Sequence, residues 1–201
     1  MVKYRHDLWN SIQKRENTTM ITTMEEYNSR IKQVLITEEE IRNAVKEAAK
    51  KIDALYDGHP ILLVSVLKGA FVFLADLARA VTVPCEIGFM CAKSYYSSTE
   101  SSGVVKITMD LDQDVSQYHL VIVEDIIDTG RTLHSLIKML ETRDPISLSV
   151  VTLLDKPSRR KVDLKPDYCC FEIEDLFVVG YGLDYEGFYR NVPYVFNWES
   201  K

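Results

Sequence analysis

Leu120-Val121-Ile122-Val123-Glu124-Asp125-Ile126-Ile127-Asp128-Thr129-Gly130-Arg131-Thr132 decides the fold. Leu120 to Val123 are apolar without a break, the pattern of a strand covered on both faces in a parallel sheet. Glu124 and Asp125 follow directly, and a pair of acids leaving a buried strand is costly to desolvate unless something pairs with it. Sugar hydroxyls or a divalent cation would serve, because Mg²⁺ prefers oxygen ligands. Asp128 to Thr132 then form a short loop that opens a helix predicted over Thr132 to Glu141. At such a start the backbone N–H groups lack helical partners and the helix dipole favours an anion. Gly130 permits close approach, and the hydroxyls of Thr129 and Thr132 add donors, so the loop reads as a cradle for a monophosphate. It lacks the G-x-x-x-x-G-K-[ST] pattern of a P-loop. A plain N-cap by Asp128 or Thr129 is the bland alternative, but capping explains neither the acidic pair nor the second threonine.

The same grammar continues on both sides of this stretch. Upstream, Thr37-x-x-Glu40 is a capping box, and Ile41, Val45, Ala48, Ile52 and Leu55 follow at helical spacing until Gly58 and Pro60. Ile61 to Leu67 reads as a buried strand, Ala70 to Ala80 as a helix, Cys85 to Ala92 and Val104 to Met109 as strands. Between the last two lies a polar loop over residues 93–103. Downstream, Ser147 to Leu154, Tyr168 to Ile173 and Phe177 to Val179 are further strands. Strands alternating with helices predict an α/β fold with a central, mainly parallel sheet flanked by helices. Residues 1–34 are polar and weakly patterned, and are set apart as an N-terminal extension from a domain over 35–201. In sheets of this kind ligands bind beyond the carboxyl ends of the strands. Those ends carry Lys68-Gly69, Glu124-Asp125, Asp155-Lys156 and the run through Gly180, Gly182 and Asp184.

The chain has 201 residues, enough to bury a core without disulfides or metal. Lys and Arg total 24 against 30 Asp and Glu, a net charge of −6, which argues against a general nucleic-acid or membrane-surface binder. A small anionic substrate stays open, because a local nest of N–H groups outweighs a mildly acidic whole. The 4 cysteines (Cys85, Cys91, Cys169 and Cys170) show no C-x-x-C pair and no histidine at ligand spacing, and read as reduced core thiols. No apolar run has the length of a membrane helix, and the first residues lack a secretory pattern, so a cytoplasmic protein is expected.

Residues 120–132 resemble the phosphoribosyl pyrophosphate (PRPP) motif of type I phosphoribosyltransferases: apolar strand, acidic pair, two residues, Asp, Thr-Gly-x-Thr. Ser65-Val66-Leu67-Lys68-Gly69 is similar to the pyrophosphate loop of the hypoxanthine-guanine branch. Lys93-Ser94-Tyr95 is similar to the start of its mobile loop, and Leu154-Asp155-Lys156 and Phe177 to Tyr185 to its purine-binding segments. Tyr189-Arg190 matches its last site residue. The resemblance spans about residues 35–196. It implies the type I phosphoribosyltransferase fold with a small hood formed by terminal segments. It further implies a homodimer or homotetramer, and transfer of the 5-phosphoribosyl group from PRPP to N9 of hypoxanthine or guanine with loss of pyrophosphate.

Roles follow from the resemblance residue by residue. Glu124 and Asp125 would bind the ribose hydroxyls, partly through Mg²⁺. Asp128, Thr129, Gly130, Arg131 and Thr132 would hold the 5′-phosphate, and Asp128 would also face purine N7 as general acid or base. Lys68 and Gly69 would offer backbone N–H groups to pyrophosphate, across a cis peptide bond between Leu67 and Lys68. Arg190 would neutralise pyrophosphate with its planar fork. Ser94 and Tyr95 would sit on a lid that excludes water. Lys156 would donate to the purine 6-oxo group, Phe177 would stack on the ring and Val178 would meet its edge through the backbone. Asp184, in the purine segment, would ligate a second Mg²⁺. Taken singly, Lys68 reads as a surface lysine, Lys156 as a loop lysine and Phe177 as core. Two rivals remain in the sequence: a regulator that kept the PRPP fold, disfavoured by the acidic charge and the lack of room for a DNA-binding module, and an enzyme for another base such as xanthine or a pyrimidine.

Overall fold

The computed structural model describes residues 23–94 and 105–198. The chain divides into two compact units, Met1–Ile31 and Lys32–Lys201. In the first, helix α1 (Met24–Ser29) starts at Thr23, whose hydroxyl accepts from the Glu26 N–H at 3.1 Å. Tyr95 and the rest of the loop up to residue 104 lie outside the described residues.

The second unit is built on two sheets. Strands β2 (Ile61–Val66), β3 (Cys85–Ser94), β4 (Val105–Met109), β5 (His119–Ile127), β6 (Ser147–Asp155) and β7 (Tyr168–Glu172) form one sheet in the order β4-β3-β2-β5-β6-β7. All neighbours are parallel except the edge pair β3–β4. Helices α2 (Glu38–Tyr56) and α3 (Phe71–Ala80) cover one face, and α4 (Arg131–Glu141) covers the other. Burial on both faces explains why β2 and β5 are continuous apolar runs. Leu63, Val121 and Val123 pack with Ile41, Ile52, Phe73 and Leu77 on the first face. Leu62, Val64, Leu120 and Ile122 pack with Leu133, Leu136 and Leu140 on the second.

The start of α2 follows the capping box: Thr37 Oγ1 accepts from the Glu40 N–H at 3.3 Å, and the Thr37 N–H donates to Glu40 Oε2 at 2.8 Å. Its end is Asp57, held in the left-handed region at φ 43°, with Gly58 next at φ 82°.

A second, antiparallel sheet joins β1 (Gln33–Ile36), β9 (Val195–Asn197) and β8 (Val178–Val179) in the order β1-β9-β8. Strands β1 and β9 have no counterpart among the strands predicted from the sequence. Each has at most four residues, too short for a period-two pattern to rise above its surroundings. They exist because residues 33–36, at the start of the second unit, pair with residues 195–197, with Gln33 opposite Asn197 and Val34 opposite Phe196.

Other expectations are corrected. β5 runs to Ile127, so Glu124 and Asp125 lie inside the strand and not after it. β6 continues the ladder beside them, pairing Glu124 with Thr152 and Ile127 with Asp155, and the backbone bonds hold although the side chains are charged. Helix α4 begins behind Gly130, which has no side chain to cap with, so the plain N-cap by Asp128 or Thr129 is not formed. Cys85 is exposed and the other three cysteines are half-buried, so the reading of all four as core thiols is too strong. All four are free thiols.

Candidate active site

The order β3-β2-β5-β6 carries a change of direction. From β2 the chain passes through α3 to β3 on one side, and β5 and β6 lie on the other. The connections that leave β2 and β5 therefore run to opposite faces of the sheet, the place where such sheets form a ligand crevice. Lys68-Gly69 stands on one lip and Glu124-Asp125 with the 128–132 loop on the other. The Leu67–Lys68 peptide bond is cis.

Close packing joins the two lips. A Cβ placed on Gly69 would lie 1.6 Å from Asp125 Oδ2, so this backbone sits directly against the carboxylate. One on Gly182, at φ 97°, would lie 2.1 Å from the Gly69 carbonyl oxygen. The loop after β8 thus presses on the loop after β2, which presses on the acids of β5. Only glycine allows these approaches. Arg190 holds the same corner: Nη1 donates to the Gly182 carbonyl at 2.6 Å, and Nη2 lies 2.5 Å from Asp184 Oδ1. The other Asp184 oxygen accepts from the Gly187 N–H at 2.7 Å. The structure therefore brings Gly69, Asp125, Asp184 and Arg190 together.

Glu124 and Asp125 are under electrostatic stress. Burial, and then the neighbouring Asp125 charge, push the Glu124 carboxyl well above its usual range. Burial raises Asp125 to about 6; the Ile126 N–H and Arg190 oppose this and Asp184 adds to it. Asp125 Oδ1 accepts from the Ile126 N–H at 2.8 Å, while Glu124 Oε2 is buried without a protein partner. A hard cation would satisfy that oxygen and relieve the repulsion. Among the described residues no cluster of three or more His, Cys, Asp or Glu is placed to hold a metal alone. This donor set fits Mg²⁺, which keeps few protein ligands and shares the rest with substrate oxygens and water.

The phosphate-type loop has its own frame. Gly130 sits at φ 76°, and a Cβ there would meet Arg160 Cδ at 3.0 Å, Val162 at 3.1 Å and Leu164 at 3.2 Å. Thr129 Oγ1 accepts from the Arg131 N–H at 3.5 Å. Arg160 braces the loop from behind: Nη1 donates to the Asp128 carbonyl at 2.5 Å, Nε to the Leu164 carbonyl at 3.1 Å, and Nη2 pairs with the Asp155 carboxylate. The Lys161 N–H donates to the Thr129 carbonyl at 3.0 Å. The side chain of Asp128 is engaged by Arg159, Nε to Oδ1 at 2.8 Å and Nη2 to Oδ2 at 3.4 Å.

Lys156 is buried at 6% exposure and spans the next gap. Its Nζ donates to the Leu176 carbonyl at 2.5 Å and lies 3.8 Å from Asp175 Oδ1. Beside it Phe177 stands 55% exposed, so the bland alternative of a core ring does not hold. Its ring meets Tyr185 edge-on at 6.3 Å, and Tyr185 stacks on Trp198 at 4.1 Å. An exposed ring backed by two others presents a free face for stacking. Val178 is buried in β8. Ser94 ends β3, whereas its partner in the expected lid, Tyr95, is outside the described residues.

Sequence reading missed Arg159, Arg160 and Asp175 as parts of this site, and named Asp155 only within the Leu154-Asp155-Lys156 segment. The available signal was the pair Arg159-Arg160 directly after a strand end on the ligand side of the sheet. A separate groove of about 1140 Å³ runs between α2, α3 and the chain at 187–193; of the predicted site residues it includes Arg190.

Known proteins match this arrangement. The phosphoribosyl transferase domain model matches residues 32–186. A hypoxanthine-guanine phosphoribosyltransferase of Staphylococcus aureus (strain N315) is 45% identical over 165 residues, 82% of this chain and 92% of its own length. The crystal structure of a hypoxanthine phosphoribosyltransferase from S. aureus superimposes with a TM-score of 0.84 at 41% identity, covering 90% of this chain and 97% of its own. A Bacillus anthracis hypoxanthine-guanine phosphoribosyltransferase, with HEPES in its active site, gives a TM-score of 0.81 at 44% identity, covering 84% of this chain and 99% of its own. The sheet order, the hood and the crevice at the ends of β2 and β5 are those of the type I fold, and this chain belongs to the phosphoribosyltransferase family, in its hypoxanthine-guanine branch.

Proposed function

We propose that this site moves the 5-phosphoribosyl group of PRPP onto N9 of hypoxanthine or guanine, releasing pyrophosphate and IMP or GMP. The chain is a purine-salvage transferase by its relatives; the roles below are our reading of its residues. The observation that carries them is the crevice itself. A glycine-turned loop at a helix start, an acidic pair with an orphaned oxygen and a buried lysine beside an exposed ring stand at adjacent strand ends.

The 5′-phosphate lies against Thr129, Gly130, Arg131 and Thr132 at the start of α4, where N–H groups and the helix dipole suit an anion. The ribose hydroxyls face Glu124 and Asp125. Pyrophosphate lies against the backbone of Lys68 and Gly69 and near Arg190. Lys156 donates to the 6-oxo group, which adenine lacks; a buried donor facing the adenine amino group would be left unpaired, and such mismatches discriminate strongly. Phe177 stacks on the purine, and Val178 offers backbone groups. Asp128 exchanges a proton with purine N7 while N9 attacks C1′ and the C1′–pyrophosphate bond breaks. Mg²⁺, held by Glu124, Asp125 and Asp184, would neutralise charge on the leaving group.

A cytoplasmic homodimer or homotetramer is part of the same reading. Among the described residues no helix is long and apolar enough to cross a membrane. Ile87, Phe89 and Met109 are exposed. Ile87, Phe89 and Cys91 share a face of β3, and Met109 stands opposite Cys91, so the edge of the sheet shows an apolar strip that a second copy would cover.

The test is direct. Purified protein is mixed with PRPP, Mg²⁺ and each purine, and nucleotide formation is read. Turnover with hypoxanthine or guanine and none with adenine is expected. Tight PRPP binding without turnover on any purine would instead favour the regulator.

A further inference from the structure

We propose that Arg159 is a positioning residue that orients the Asp128 carboxylate and ties it to the base-recognising corner at Lys156. The inference rests on the reading of Asp128 and Lys156 given above and adds to it a residue that the reading does not use.

The short 3₁₀ turn Pro157–Arg159 follows Lys156, and the Arg159 N–H donates to the Lys156 carbonyl at 3.0 Å. Residues three apart in such a turn fall on the same side. One turn therefore delivers both the buried lysine and an arginine to the crevice. Arg159 grips both Asp128 oxygens, and its remaining nitrogen Nη1 donates to Asp175 Oδ2 at 3.3 Å. Asp175 Oδ1 in turn lies 3.8 Å from Lys156 Nζ. Four alternating charges, Asp128, Arg159, Asp175 and Lys156, thus run from the phosphate-type loop to the base corner.

An exposed ion pair is worth little for stability, and Arg159, Asp128 and Asp175 are each about half exposed. Stability does not explain why two nitrogens of one guanidinium meet the two oxygens of one carboxylate. That fork fixes a plane, which a single ammonium cannot do. Each carboxylate oxygen has two lone pairs, and the fork takes one from each. A lone pair on either oxygen stays open to a purine N–H. Arg159 therefore aims Asp128 without blocking it. Without it, Asp128 loses both guanidinium contacts and Asp175 keeps only Lys156, 3.8 Å away.

The experiment uses full-length protein with PRPP, Mg²⁺ and hypoxanthine. Arg159→Ala is expected to lower kcat about tenfold, since small misplacements of a reacting group cost this much or more. KM for PRPP should stay close to wild type, because the loop's backbone is held by Arg160. Arg159→Lys should recover only a minor part of the loss, since it keeps the charge and loses the fork. The decisive arm is the double variant: in an Asp128→Ala background, Arg159→Ala should cost nothing further. An equal loss in both backgrounds, full recovery with lysine, or a wild-type kcat in Arg159→Ala would overturn the proposal while leaving the transferase reading intact. A wild-type chain that makes no nucleotide would overturn that reading and this inference with it.

Discussion

Gly69 and Asp128 show how single residues carry this site. No side chain fits at Gly69, where a methyl would overlap the Asp125 carboxylate. Gly69→Ala should move either the loop after β2 or Asp125. We expect a stability loss of about 1–3 kcal/mol by melting, and a fall in kcat/KM of about a hundredfold with PRPP as the varied substrate. Unchanged kinetics in this variant would mean that the contact has no part in binding the donor. Asp128 makes a different prediction. Asp128→Ala should slow turnover by about a hundredfold or more if it moves the N7 proton, with KM for PRPP little changed. A wild-type turnover number would remove it from proton handling. Resemblance alone assigned Asp128 its role; the geometry adds a partner, Arg159, which no spacing rule pointed to.

Strand β5 is a conflict between packing and charge. Its first half is sealed by apolar neighbours, and its second half carries two carboxylates into the same ladder. The cost appears as pH dependence. Asp125 titrates near 6 in the folded chain against an ordinary 3.8, so the folded state binds the extra proton in that interval. This contribution to stability is therefore full in acid and is lost as pH rises through about 6, the reverse of a salt-bridged aspartate. Glu124 is displaced in the same direction. Asp125→Asn should raise the melting temperature of the metal-free protein at about pH 7.5 and gain little at about pH 4. Mg²⁺ with PRPP should supply the same stabilisation to the wild type at neutral pH. A variant gain that does not shrink with acid would contradict the assignment.

The proposed assembly uses the sheet's edge. Sedimentation velocity should find a dimer or tetramer, and Phe89→Glu should shift the distribution to smaller species while the far-ultraviolet circular dichroism is kept. An unshifted distribution would place the interface elsewhere. The hood makes a related point about connectivity. Its three short strands come from opposite ends of the second unit, and the Trp198 N–H donates to the Phe177 carbonyl at 2.8 Å, tying the exposed Phe177 ring to the last described residue.

The buried strands β2, β5 and β6, the capping box of α2 and the loop at 128–132 were readable in order because each is a local pattern. Apolar runs, fixed offsets and glycine positions depend on neighbours along the chain. The family motif was readable for the same reason: a phosphate and two hydroxyls need a contiguous run of donors and acids. Packing decided the rest. Gly182 against Gly69 against Asp125 joins three distant loops, and β1 against β9 joins residues 33 and 197. Arg159 and Arg160 read as ordinary surface charge until the 3₁₀ turn folds them back onto the loop after β5. Such contacts exist only once the sheet has set the distances between its strand ends, so a local pattern can point to a strand end but does not name the partner found there.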